Sequence, residues 1–304
     1  MAIRHAYFSI IISAALWGTI GFYVNYLRDA GFTALQVVWL RAAAAVVFFF
    51  IYALFQKPSP LFVRLKDMKY FLGTGILSIT LFNWCYFTAI QETSLSVAAV
   101  LLYTAPVFVI ILSRFVFKSP LTARKLISLL LTAAGCLFVS GLLSDSSSSV
   151  TVFGIITGLG AGFGYALYSI FGKLAAAFYS SLTISFYTFL VTAAALLPFV
   201  QLKSALALLI HPETLLMAAG LGLFPTVIAY YLYTNGLKAA DAGTASILST
   251  VEPAVAALMG ILFYEESLTF IQYAGIILIF SAVILLREKK TALSEISSTS
   301  GTHS

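Results

Sequence analysis

Charge is scarce in this chain. Of its 304 residues only 9% are Asp, Glu, Lys or Arg, where soluble domains carry about 25%. Cysteine is scarcer still: Cys85 and Cys136 stand alone inside apolar runs. Two lone cysteines make no disulfide framework, and both read as small core residues. The three histidines, His5, His211 and His303, lie outside the apolar runs or at their ends, so neither a histidine–metal centre nor any cofactor is expected. No basic run is interleaved with aromatics, so the net charge of +6 does not announce a nucleic-acid partner. Alternating strands of the kind that build an outer-membrane barrel are missing too.

What is abundant is apolar surface. Hydrophobic residues make up 61% of the chain, and the mean hydropathy is +1.02. A water-soluble protein of this length has no interior large enough to hide that much. Ten apolar segments can be placed, at 6–26, 35–55, 70–90, 97–117, 123–143, 152–172, 182–201, 214–236, 244–263 and 270–287. Each is near the roughly 20 residues that a helix needs to cross a bilayer, and helices satisfy their own backbone groups in lipid. The expected fold is therefore an all-α membrane protein of ten transmembrane helices, with the lipid bilayer as its first partner. The run after Arg4 continues through Trp17 and Tyr23 without a small-x-small exit, so it reads as a span that stays. The polar segment 291–304 is expected to be a disordered tail.

The basic residues orient the bundle. With the N-terminus in the cytoplasm, all of the 17 except Arg28, Lys203 and the intramembrane Arg41 fall on the cytoplasmic side. Loops rich in Lys and Arg stay inside, so both termini are expected in the cytoplasm of a multi-pass cell-membrane protein.

An internal repeat underlies the spans. A shift of 147 residues lays Gly73 on Gly220, Gly75 on Gly222, Tyr86 on Tyr233, Ala98 on Ala245, Leu101 on Leu248 and Pro106 on Pro253. It also lays Leu121–Thr122 on Leu268–Thr269, with no gap. The repeat divides the chain into 1–146 and 147–290. Five spans per half is an odd number, so the halves must be inverted with respect to each other. The basic KSPLTARK of the first half indeed becomes EESLTFIQ in the second. Inverted repeats are a transporter architecture, with substrate bound near the midplane between the halves.

Several stretches carry a family resemblance: LWGTIGFYV in the first span, VVWLRAAAA around Arg41, the paired TAPVFVIIL and VEPAVAALM, and FYEESLT. Together they resemble the EamA-like branch of the drug/metabolite transporter superfamily over residues 6–287. That resemblance implies two five-helix repeats, a central cavity, alternating access, and export or permeation of amino acids and related metabolites. It also implies an acid after both the fourth and the ninth helices. Glu266 fits the second position, whereas Ser119 stands at the first.

The candidate site residues follow from burial cost and repeat position. Pro106 and Pro253 fall near the middle of the fourth and ninth spans, where a proline should kink the helix and loosen the carbonyls of Leu102 and Ser249. Helix breaks at corresponding places in two halves point to the binding site or its gate. Glu252 is the only acid well inside a span. A carboxyl there costs at least ~2.5 kcal/mol and faces a cavity or a partner, which suits a proton as coupling ion or a substrate amine. Arg41 lies about two turns into its span. It either snorkels to the headgroups or a structural partner, the favoured reading, or holds Glu252 or a substrate carboxylate. Trp17, Tyr86, Tyr103, Tyr165, Tyr168, Tyr230, Tyr231 and Tyr233, with Asn83 and Asn235, form an aromatic and amide set that can wall a small-molecule site. From these, Trp17, Asn83, Tyr86, Tyr103, Tyr168, Tyr230 and Glu252 are the expected substrate contacts. The glycines of GLGAGFG (Gly158 to Gly164) lie in an apolar span with no preceding strand, so they read as helix-packing glycines rather than a nucleotide loop.

The expected function is secondary active transport of small metabolites, amino acids first, by a protein that is not an enzyme. A multidrug or nucleotide-sugar-like permease is the alternative, with an intramembrane enzyme or a sensor more remote. Monomer and homodimer are both compatible with the sequence.

Overall fold

The computed structural model describes residues 2–56, 61–142, 150–265 and 267–286, which are helical with no strand among them. The expected disordered tail, the expected acid Glu266 and His303 lie outside these residues. Eight helical stretches are long and apolar enough to cross a membrane: Ile3–Asp29, Ala34–Leu54, Leu65–Glu92, Leu95–Val116, Val152–Ala176, Ser181–Phe199, Pro212–Ala239 and Ala242–Tyr264. The expected spans at 123–143 and 270–287 are shorter than read from sequence. They are helices Ala123–Val139 and Phe270–Leu285, of 17 and 16 residues.

Several of these stretches are composite. α1 (Ala2–Gly18) and α2 (Ile20–Asp29) part at Thr19, whose hydroxyl turns back to donate to the Leu16 carbonyl at 2.7 Å. α3 (Ala34–Leu54) starts at a Thr33–Gln36 capping box, which satisfies two otherwise orphaned amides. α4 (Met68–Leu72) widens into a π-helical stretch, Gly73–Thr80, and continues as α5 (Leu81–Glu92). Then follow α6 (Leu95–Leu102), α7 (Ala105–Val116), α8 (Ala123–Val139), the long α9 (Val152–Ala176), α10 (Ser181–Leu196) and the short α11 (Leu202–Leu208). α12 (Pro212–Gly222) passes through a second π-helical stretch, Leu223–Ile228, into α13 (Ala229–Ala239). α14 (Ala242–Leu248), α15 (Val251–Tyr264) and α16 (Phe270–Leu285) complete the described residues.

The prolines act differently from the expected mid-span kinks. The helix stops before each of them, at Tyr103–Thr104 and at Ser249–Thr250. Pro106 then sits in the first turn of α7 and Pro253 in the first turn of α15. In a first turn the missing N–H has no intrahelical partner to lose, so proline is tolerated there. The Ser249 carbonyl is not freed either, because the Glu252 amide donates to it at 3.1 Å.

Glycine shapes two close helix seams. α9 carries Gly154, Gly158 and Gly162 on one face, against Thr93, Leu101 and Thr104, and Gly160 and Gly164 on another, against Cys85 and Phe82. A Cβ at Gly162 would lie 2.6 Å from Thr104 Oγ1, so backbones approach where no side chain fits. The second seam joins α8 and α16, which run antiparallel. Ser128 Oγ donates to the Ala282 carbonyl at one end and Gln272 Nε2 to the Val139 carbonyl at the other. Gly135 and Gly275 meet in the middle. Cys85 and Cys136 are free and buried, as their surroundings require.

Candidate functional site

The largest buried cluster closes around aromatic rings. Trp17 of α1 lies with its ring centroid 5.1 Å from those of Tyr230 and Tyr233 and 6.2 Å from that of Tyr165. Tyr168 meets Tyr230 edge to face at 5.0 Å, and Phe189 backs Tyr230 at 4.9 Å. These are the offset and T-shaped separations that aromatic quadrupoles favour. Hydroxyls lock the rings: Tyr168 to Thr234 and Tyr233 to Ser169, both at 2.7 Å. Ser78, Ile79 and Phe82 close the remaining wall. The cavity left inside is about 10 Å³, at the lower bound for a single water.

Two charged side chains reach this cage through its rings. The Tyr165 hydroxyl donates to Glu252 Oε2 at 3.1 Å. Glu252 is in the first turn of α15, where the unpaired amides of a helix start favour negative charge. The break in the span thus supplies the physical reason for an acid at that depth. Arg41 is only 9% exposed, which places it with a structural partner, one of the two forms of the favoured reading, rather than at the headgroups. Its guanidinium carbon is 6.0 Å from the Tyr230 ring centroid, within reach of a cation–π contact. Arg41 Nε and Trp17 Nε1 are buried donors with no partner among the described residues. Such orphaned donors are uncommon in native interiors.

The expected contacts separate into two groups. Trp17, Tyr168 and Tyr230 form the cage, joined by Tyr165 and Tyr233, and Glu252 touches it. Asn83 instead donates back to the Ile79 carbonyl of its own helix at 2.7 Å. Tyr86 meets Phe82 at a tilt, with ring centroids 5.9 Å apart, and packs by Cys85, Leu102 and Ala161. Tyr103 packs with Cys136, Val139, Ala254 and Ile279 beside the α8–α16 seam. Tyr231 pairs with Tyr52, and Asn235 is exposed. Ser78, Ile79, Phe82 and Ser169 escaped the sequence reading. The signal was present in Phe82, which lies one turn before Tyr86 on an aromatic face. Among the described residues no group of His, Cys, Asp and Glu could hold a metal ion.

The model of the EamA-like transporter family matches residues 4–141 and again 152–287. The chain belongs to that family. It is therefore a multi-pass membrane protein with the character of a transporter. It is 32% identical to an uncharacterized transporter of Archaeoglobus fulgidus over 286 residues, covering 93% of this chain and 96% of that protein. It is also similar to the uncharacterized transporter YetK of Bacillus subtilis, at 26% identity over 81% of this chain and 76% of YetK. The uncharacterized inner membrane transporter YicL of Salmonella typhimurium is 22% identical, over 93% and 95%. A crystal structure at 17% identity superposes with a TM-score of 0.75 over 96% of this chain and 98% of the other, which speaks for the fold alone.

Proposed function

We propose that the protein is a secondary active transporter of small metabolites, with amino acids as the leading class, working by alternating access between two inverted five-helix halves. The observation that carries this reading is the aromatic cage, because it draws on both halves. Trp17, Ser78, Ile79 and Phe82 come from the first, and Tyr165, Tyr168, Ser169, Tyr230 and Tyr233 from the second. A guanidinium behind Tyr230 and a carboxylate behind Tyr165 suit a zwitterion, while the rings accept its apolar part. Glu252 is the proposed proton carrier.

The inverted repeat has support in local geometry. Shifted by 147 residues, the break at 103–104 meets the break at 249–250 with an offset of one, and the π-helical stretch 73–80 overlaps 223–228. The caps Ser94, Thr122 and Thr33 fall on Asp241, Thr269 and Ser180. Among the described residues, Lys118 and Glu265, related by the same shift, are the non-glycine residues with left-handed φ, at 55° and 54°. At the α8–α16 seam Ser128 faces Ala282 and Gly135 faces Gly275, so each residue meets the counterpart of the other's partner. That is the isologous pattern of a two-fold axis. An axis perpendicular to two membrane-crossing helices lies in the membrane plane, as inversion requires. The distribution of basic residues favours both termini in the cytoplasm.

Purified protein in proteoliposomes, offered a panel of amino acids, sugars, nucleosides and cationic drugs with and without a pH gradient, tests the reading. Gradient-stimulated flux of an amino acid is the expected result. Flux confined to cationic drugs would transfer the assignment to a multidrug permease, and a chemically altered product without net flux would end the transport reading.

A further inference from the structure

The two halves do not sit alike. Under the 147-residue shift α6 becomes α14 and α7 becomes α15. α14 is packed most extensively on α7 and less so on α1, α9, α8 and α16, and every residue from Ala242 to Leu248 is buried. The counterpart interface, α6 on α15 and α16, has no comparable packing; α6 lies against α5 and α9 instead. Leu95 at its start is 63% exposed where its counterpart Ala242 is fully buried. Likewise Gly243 abuts Ile110, at 3.0 Å from an added Cβ to Ile110 Cγ1, a contact whose counterpart would join Ser96 to Ala257.

The complementary difference is on the other flank. Leu101 of α6 presses on Gly158 of α9, its own Cβ lying 2.8 Å from a Cβ built there. The counterparts Leu248 and Ile11 line an open crevice of about 720 Å³ between α1, α14 and α16, walled by Tyr7, Phe8, Val283 and Ile284. α14 thus packs most extensively on α7 and keeps a lesser contact with α1, while α6 packs most extensively on α9, the counterpart of α1, and little on α15.

Two lysines reach the start of α14: Lys173 Nζ of α9 donates to the Ala240 carbonyl at 2.6 Å, and Lys125 pairs with Asp241. Lys125 Nζ, at the start of α8, meets Asp241 Oδ2 at 2.9 Å, with side chains 12% and 26% exposed. Asp241 in turn caps α14 through the Thr244 amide at 2.9 Å. Lys125 Nζ also donates to the Pro120 carbonyl at 3.0 Å. The counterparts Gln272 and Ser94 each bond elsewhere, Gln272 to the Val139 carbonyl and Ser94 to the Val97 amide.

We propose that Lys125 and Asp241 are the latch of a gate formed by α14, and that this structure is the state closed on the α14 side. In the opposite state α14 swings into the crevice beside α1, while α6 docks on α15 and brings Ser96 against Ala257. The purpose given to this motion rests on the transport reading above, but the motion itself is measured without substrate.

The test uses full-length protein in proteoliposomes, with Cys85 and Cys136 replaced by alanine. Ser246→Cys reports access to α14 by an aqueous maleimide, and a Ser96→Cys/Ala257→Cys pair reports docking of α6 by mercury(II) cross-linking. Each is combined with Lys125→Gln or Asp241→Asn; asparagine keeps the cap while losing the charge, and Lys125→Gln leaves α14 untouched. Both substitutions are expected to speed labelling at 246 by at least about fivefold, the low end of typical site-to-site couplings, and to turn on the 96–257 cross-link. Labelling and cross-linking unchanged in both variants would overturn the latch. A pair that cross-links equally fast with the latch intact would overturn the assignment of the closed state. If the flux panel finds no substrate while labelling responds as expected, the transport reading fails and the gate stands. Should Asp241→Asn elute as aggregate, Lys125→Gln decides.

Discussion

Gly135 and Gly275 touch backbone to backbone across the α8–α16 seam. A Cβ built on Gly135 comes within 2.9 Å of the Gly275 carbonyl oxygen, and one on Gly275 within 2.7 Å of the Gly135 carbonyl oxygen. Neither neighbour is a flexible side-chain tip, so an alanine at either site must push the helices apart. Overpacking of this kind costs about 1–3 kcal/mol.

Gly135→Ala and Gly275→Ala should each lower Tm in detergent. Gly21→Ala provides the contrast, because a Cβ there meets nothing within 4 Å. Replacing this glycine, which sits in open space in the first turn of α2, should stabilise by at most about 0.5–1 kcal/mol. Thermal unfolding followed by circular dichroism separates the two signs.

Trp17→Phe removes an indole N–H that has no partner among the described residues. No hydrogen bond is lost and an orphaned buried donor disappears, which offsets the cavity left by the smaller ring, so Tm should change little. If that donor serves substrate, flux should fall in the same variant. A stable protein with full flux would place Trp17 in the packing of the cage only.

Glu252→Gln keeps size and an acceptor for the Tyr165 hydroxyl but cannot ionise. The variant should insert normally and either slow net flux or flatten its dependence on pH, read in proteoliposomes from pH 5.5 to 8.5, roughly the range a desolvated carboxyl can span. Glu252→Asp should retain part of the activity. A wild-type profile in the Gln variant would make the carboxyl structural.

Pro106→Ala and Pro253→Ala restore an N–H in the first turns of α7 and α15. A helix can then extend across 103–104 or 249–250 and fill the interruption. Expression and Tm should change little, while flux should drop in both variants; undiminished flux would show that the breaks are dispensable.

The Lys125–Asp241 latch has a defined pH window. Burial pushes the Asp241 carboxyl up, but hydrogen bonds from Lys125, the Thr244 amide and Ser119, with the Lys125 charge, hold it below its ordinary 3.8. A depressed folded value means the stabilisation is complete above the unfolded value and is lost as pH falls through the folded one. The Tm difference between the parent and Asp241→Asn should therefore be constant from pH 8 to about 5 and shrink only below about pH 4. A difference that fades between pH 6 and 7 would mean another group carries it.

Much of this architecture was legible because a bilayer imposes a length on every apolar run, and because glycines and prolines kept one register over 147 residues. The breaks at 103–104 and 249–250 were not, since Pro106 and Pro253 look alike in a kinked helix and in the first turn of a new one. Which aromatics meet depends on helix rotation, and in a span that is apolar all round no polar face reveals it. Tyr168 and Tyr230 therefore turned inward as expected, while Tyr86, Tyr103 and Asn83 did not join them. For Arg41 the depth was visible in the sequence, but not which structural partner, the Tyr230 ring, receives it.

The filled cage has a cost in affinity. If the cage is the binding site, as proposed, then with about 10 Å³ between the rings no metabolite enters until Trp17 and the tyrosines separate, and binding draws on an open form other than this one. Apparent affinity is the intrinsic affinity multiplied by the fraction of molecules already open. If one molecule in about a hundred is open, measured binding is about a hundredfold weaker than the contacts alone would give. A substitution that props the rings apart without touching the ligand should then tighten binding, and it should do so by the same factor for every substrate.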